Sequence, residues 1–132
     1  MIEIALLTTA LLFGGMILYS FGFAAFVFNA LPAETAGPLI RRAFPHFYLF
    51  VLGTSVTAAA LAAIALNWTS VILLASIAAT TIFARQVLMP AINAATDTGQ
   101  KTRFKRLHGL SVLITLAHIV AAGFVIVRLS AL

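Results

Sequence analysis

Few side chains in this sequence could do chemistry, and they gather in one stretch, Arg85 to Ser111, written RQVLMPAINAATDTGQKTRFKRLHGLS. Arg85 and Gln86 interrupt an apolar run. At helical spacing Gln86, Pro90 and Asn93 share one face, and His108, Ser111 and Thr115 follow the i, i+3, i+7 pattern of another. If the two stripes meet, they enclose a polar pocket floored by Arg85. Such a pocket would pair the arginine with an anionic substrate or with a loop carboxylate, for which Asp97 and Glu34 are available. The competing reading is an arginine that snorkels to lipid phosphate or binds backbone carbonyls. An arginine at the centre of a membrane helix costs about 2.5–3.5 kcal/mol, less toward an interface, so either reading needs partners for it.

His118 lies ten residues beyond His108, about 15 Å along a helix, so the two cannot ligate one small metal ion. Intramembrane ionisable residues are functional candidates by default; the structural alternative for His118 is a neutral ring bonded to a Ser or Thr hydroxyl. Three dispersed histidines, no cysteine and no HxxxH pair give no metal signature. A haem held between His46 and His108 is geometrically conceivable if the chain contains an internal repeat that relates the two. There is no Ser-His-Asp set, no Gly-rich phosphate loop after a strand and no pair of carboxylates within an apolar run. Enzymatic chemistry therefore has little support in the sequence; the alternative is a haem- or porphyrin-binding redox membrane protein using His46 and His108, and no other cofactor is expected.

The elements that must position these residues follow from composition. In 132 residues, 63% are apolar and only 8% charged, and the mean hydropathy is +1.14. Soluble domains run near half apolar and a quarter charged. Such a chain cannot cover its surface with polar groups, and it belongs in a bilayer as an all-α, four-helix integral membrane bundle. The net charge of +5 would suggest nucleic acid in a soluble protein. Beside apolar runs, the basic residues instead point to anionic headgroups and to membrane orientation, with no nucleic-acid partner. The N-terminus carries Glu3 and no basic residue, which argues against a cleaved signal peptide.

Four spans are expected, at about 4–28, 44–66, 71–93 and 106–127, within one domain covering 1–132. Gly14, Gly15, Ser20 and Gly22 read as close-packing points on the first span, and Ser55, Ala59 and Ala63 as a small-residue face on the second. Pro45 suits the first turn of span two, and Pro90 should kink the end of span three. The link at Asn67–Ser70 is so short that spans two and three must be antiparallel, with Thr69 or Ser70 capping the next helix. Two longer loops carry Arg41, Arg42, Lys101, Arg103, Lys105 and Arg106, against Arg128 alone on the other side. The positive-inside rule then puts both loops in the cytoplasm and both termini outside. A parallel repeat is suggested by Leu31-Pro32-Ala33 against Met89-Pro90-Ala91, which would relate His46 to His108.

The runs FARQVLMPAIN, RFKRLHGLSVLITL and AGPLIRRAFPHFYLF together resemble the transmembrane protein 205-like family, whose bacterial members are a four-span domain of unknown function. Carried over by position, the resemblance highlights Arg85, Pro90, His108, Gly109, Ser111, Pro45 and Tyr48, with Pro45, Pro90 and Gly109 structural. The family tends to have asparagine where this chain has Thr115, and His118 is outside its pattern. The resemblance and the polar cluster together imply a small protein of the bacterial inner membrane, acting in transport or membrane stress. Its partners would be lipids and copies of itself or a larger membrane complex, to which it would be an accessory subunit. Four spans enclose little volume, so a transport path would form between protomers.

Overall fold

In hydrocarbon a backbone has no water to bond, so each apolar run must close its hydrogen bonds within itself. The computed structural model describes residues 1–132 and contains no strand. Its four long helices are α1 (Ile2–Ala30), α2 (Ala33–Ile64), α3 (Trp68–Asp97) and α4 (Lys101–Ser130), each long and apolar enough to cross a membrane. The chain is an integral-membrane four-helix bundle. At 1.5 Å per residue these helices are about 45 Å long, against about 30 Å of hydrocarbon.

That excess corrects the expected loops. Residues 29–43 and 94–105 are mostly helical: α2 starts at Ala33, and α3 runs on to Asp97. Only Leu31 and Pro32 separate α1 from α2, both in extended conformation, as a residue before proline prefers. Pro45 therefore lies well inside α2, as does Pro38, and not in a first turn. The basic residues ride on helical overhangs. Pro90 likewise lies inside α3, which runs on to Asp97. The helix widens to a π turn at Ala84–Leu88, where the Met89 N–H bonds the Ala84 carbonyl, and then continues. A π turn just ahead of a proline accommodates the hydrogen bond the proline cannot make.

The helices form a ring in which α1 packs on α2 and α4, and α3 on α2 and α4. Each buries one narrow stripe: Ala5, Thr9, Leu12 and Met16 on α1; Val51, Ser55, Ala58 and Ala62 on α2; Leu74, Ile77 and Thr81 on α3; Ala122, Val125 and Leu129 on α4. The small-residue face of α2 is thus Ser55, Ala58 and Ala62, one residue off the expected set. Outward faces carry exposed Leu, Ile, Phe and Val, the arrangement that lipid stabilises and water would not. Of the expected close-packing glycines, Gly15 is the one pressed against a neighbour: a Cβ there would collide with the Phe50 ring of α2. Gly123 receives the Phe13 ring edge at 3.3 Å from the same virtual position, an α1–α4 approach the sequence did not suggest.

Two hairpins, α1–α2 and α3–α4, repeat in the same sense. Their landmarks keep one spacing of 66 residues: Ile2 to Trp68, Ile64 to Ser130, and the π turns starting at Leu18 and Ala84. The expected register is wrong, because Leu31-Pro32 breaks the chain while Met89-Pro90 sits inside a helix. His46 and His108 are not repeat partners. In the observed register Tyr19 matches Arg85, and His108 matches Arg42.

The turns are closed at both ends of the bundle. After α2, Leu66 takes the left-handed conformation (φ 56°), with Asn67 N–H to Ala62 O at 2.9 Å and Leu66 N–H to Ala63 O at 3.0 Å. After α3, Gly99 does the same (φ 68°), with Gln100 N–H to Ala95 O at 2.9 Å. Both are Schellman closures, one with the glycine that conformation favours and one with leucine. Asn67, not Thr69 or Ser70, caps α3: its Oδ1 accepts from the Ser70 N–H and also from Arg128 Nε, each at 3.2 Å. One buried amide thereby ties the end of α4 to the α2–α3 turn. At the opposite end Arg41 forks onto Asp97 at 2.7 and 2.8 Å, clasping α2 to α3.

Left-handed strain falls on Leu66, so Leu66→Gly should raise stability by up to about 1 kcal/mol. Gly15→Leu must push α1 off Phe50 and should cost about 1–3 kcal/mol. Thermal unfolding in one detergent checks both; a destabilised Leu66→Gly or an indifferent Gly15→Leu would contradict this account of the packing.

Candidate functional site

Arg85 leaves the π turn of α3 half-buried, with one partner on α2 and the other on the exposed Gln86 beside it. Its Nε donates to the Pro45 carbonyl of α2 at 3.3 Å, and its Nη1 donates to the Gln86 Oε1 at 3.0 Å. No carboxylate reaches it: Asp97 is taken by Arg41, and Glu34 forms no ion pair. The carbonyl-bound reading of Arg85 is what the geometry contains. The α2 backbone near Pro45 also accepts a second side chain, the Tyr19 hydroxyl, which donates to the Ala43 carbonyl at 2.8 Å. Tyr19 and Arg85, equivalent in the 66-residue repeat, thus hold the same stretch of α2 from opposite neighbours. Tyr19 lies within an aromatic group, stacked on Phe47 at 4.9 Å and edge-on to Phe44.

The expected pocket floored by Arg85 is not assembled as one unit. Gln86 and Pro90 are exposed, and Asn93 is half-buried without a side-chain hydrogen bond. His108 is exposed at the basic end, its ring stacked on Phe104 at 5.5 Å. Gly109 has open space around it, so packing gives it no structural task. His46 is also exposed. No three of His, Cys, Asp and Glu converge as a metal site would require.

What the fold does bring together is the rest of the α4 stripe. Ser111 and Thr115 face the bundle axis with His118, not with His108, and line a narrow crevice with Tyr48 and Val51 of α2, Thr81 and Ala84 of α3, and Met16 of α1. Tyr48 and Ser111 hydroxyls stand 3.4 Å apart across the bundle. Beyond the crevice His118 Nε2 bonds the Thr80 hydroxyl, which fits the neutral, hydroxyl-bonded alternative for this ring. Thr80 already donates its proton to the Ser76 carbonyl at 2.7 Å, so the ring N–H donates and Nδ1 is left as an acceptor. Open space in the crevice is about 10 Å³. No solute fits through it.

A second feature lies at the basic end. The first turns of α4 carry Lys101, Arg103, Lys105 and Arg106, and Gln100, Lys101, Thr102, Arg103, Arg106 and Leu107 line an open recess of about 580 Å³. The only ion pairs in the molecule are Arg41–Asp97 and the N-terminal amine with Glu3. The four cations on the first turns of α4, and Arg42, form no ion pair. Reading the residues alone missed Tyr19, Thr80, Asn67 and Arg128 as polar anchors. A tyrosine or threonine in an apolar run signals only that its hydroxyl needs a partner, and the partners here lie 24 to 61 positions away.

No curated protein and no solved structure matches the chain. A family model described as a domain of unknown function, DUF4149, matches residues 7–101. The match covers α1 to α3 and ends where α4 begins, so RFKRLHGLSVLITL lies beyond it. With well over half of its length matched, and with the four spans in place, the chain belongs to the DUF4149 family of unknown function.

Proposed function

We propose that this protein is an inner-membrane component of the membrane-stress class, working as an oligomer, whose basic cytoplasmic end engages the anionic headgroups of the surrounding leaflet. The observation that carries this reading is the set of unpaired cations on α4. Lys101, Arg103, Lys105 and Arg106 sit on the first turns of a 30-residue helix without a carboxylate partner. The helix dipole disfavours cations at that end by about 0.3–1 kcal/mol each, and they repel one another. A phosphate layer reverses both penalties, and each basic residue near an anionic surface contributes about 1 kcal/mol. The overhang of α4 beyond the hydrocarbon puts these side chains at headgroup depth.

The test compares nanodiscs of phosphatidylcholine with and without phosphatidylglycerol. Wild type should gain several degrees in Tm from the anionic lipid, a gain that shrinks as salt is raised. The variant Lys101→Gln, Arg103→Gln, Lys105→Gln, Arg106→Gln should lose most of it. An equal gain in the variant would sink the reading.

Transport is the second reading, supported by hydrogen-bonding groups left on the outside of an apolar bundle, Gln86 and His108 among them. Because the axis of one chain is closed to solutes, the path would run between protomers, beside Arg85 and His108. Arg85→Ala and His108→Ala should then each reduce solute flux in reconstituted vesicles. Flux unchanged by either substitution leaves no place for this path.

A further inference from the structure

The crevice at the bundle axis has hydrogen-bonding capacity that the protein itself does not use. Threonines set inside helices here donate to the carbonyl four residues back, as Thr9, Thr54, Thr57, Thr81 and Thr96 do. Thr115 is different: it lies mid-helix on α4, faces the crevice and makes no hydrogen bond within the protein. His118 lines the same crevice with Nε2 committed to Thr80 and Nδ1 without a partner. The Tyr48–Ser111 contact, at 3.4 Å, is long for two hydroxyls, which prefer about 2.7–2.8 Å. Two helices, α2 and α4, therefore present weakly satisfied polar groups to one void, in a layer where unmatched polar groups are most costly.

The size of that void sets what can fill it. A buried water needs about 10–15 Å³ of space for its centre and two to four polar partners, whereas empty cavities are apolar. The space here is about 10 Å³, and its lining includes the hydroxyls of Tyr48, Ser111 and Thr115 and the His118 ring. We propose that this void is a binding site for a single water molecule. The water accepts from or donates to the Tyr48–Ser111 pair, takes the free Thr115 hydroxyl and donates to His118 Nδ1. It thereby joins α2, α4 and α3 in one hydrogen-bonded file that ends on Thr80. Occupancy of this site does not depend on lipid binding at the basic end.

The protein in nanodiscs, labelled for proton-detected NMR, gives the test. Wild type should show magnetisation transfer from a long-lived water to Thr115 and to the His118 ring. Thr115→Ile, whose larger apolar side chain fills the void, should abolish that transfer, while Thr115→Ser should keep it. If Thr115→Ile fails to fold, Thr115→Val provides the same readout by removing one of the water's partners. A wild-type spectrum with no water contact at Thr115 or His118 overturns the assignment, as does transfer that persists undiminished in the apolar variants.

Discussion

Everything in this molecule answers to the absence of water around its middle. A buried donor without an acceptor costs several kcal/mol in hydrocarbon, so most polar side chains between the two ends bond their own helix or a neighbour, the Ser20, Ser70 and Thr115 hydroxyls excepted. Most hydroxyls choose their own helix and bond the carbonyl one turn back. Those that cross between helices decide the arrangement of the bundle. Tyr19 and Arg85 hold the stretch of α2 around Pro45, Thr80 meets His118 between α3 and α4, and Asn67 gathers a helix cap and Arg128 on one oxygen. Apolar stripes could slide past one another at little cost; these bonds give them a register.

The same constraint accounts for the repeat. Two hairpins of similar length each carry a π turn at the same distance from their start. A wide turn frees space and carbonyls inside a helix without breaking it, which matters in lipid because a full break would strand backbone groups. In the second hairpin the turn also absorbs Pro90. In the first it lies near Gly22, shortly before the chain leaves the hydrocarbon at Leu31-Pro32. Arg85 and Tyr19 occupy equivalent places in these turns, and each uses a long polar side chain to reach α2. The charged member is tolerated because a proline-containing stretch of α2 offers it a carbonyl.

Hydropathy made the number of the spans legible, since runs of about 20 uncharged residues admit few other readings. Helix ends were not legible. Arg41, Arg42, Lys101, Arg103 and Lys105, mixed with glycine and proline, have the composition of loops, yet they lie within helices longer than the hydrocarbon requires. The pocket was misread for a geometric reason. A regular spacing of about 3.6 residues per turn is what would keep Gln86, Pro90 and Asn93 on one inward face of α3. The π turn at Ala84–Leu88 holds about one extra residue and rotates the rest of the helix by about 100°. The α4 stripe contains no such turn, and Ser111 and Thr115 did face inward together. His118 joined them because i, i+4, i+7 from Ser111 lands on it, a spacing hidden by counting from His108.

Function divides along the length of the bundle. Toward its middle the helices close on a space too small for a solute, and the polar groups there serve one another and one water. Selection for a conduit would have left a continuous lumen or a ring of facing charges, whereas the axial crevice, lined by Met16 of α1 and Ala84 of α3 among others, holds about 10 Å³ of open space. At the basic end the pattern reverses: four cations stand unpaired on one helix, against their helix dipole and against each other. Arg41 shows that pairing was available at this end, since it clasps Asp97 with both nitrogens. A bundle that neutralises one cation with such geometry leaves its neighbours without a protein partner, which is what the proposed engagement of anionic headgroups rests on. The polar interior holds the helices in place, and on the proposed reading the exposed charge is the surface this protein offers to anionic headgroups.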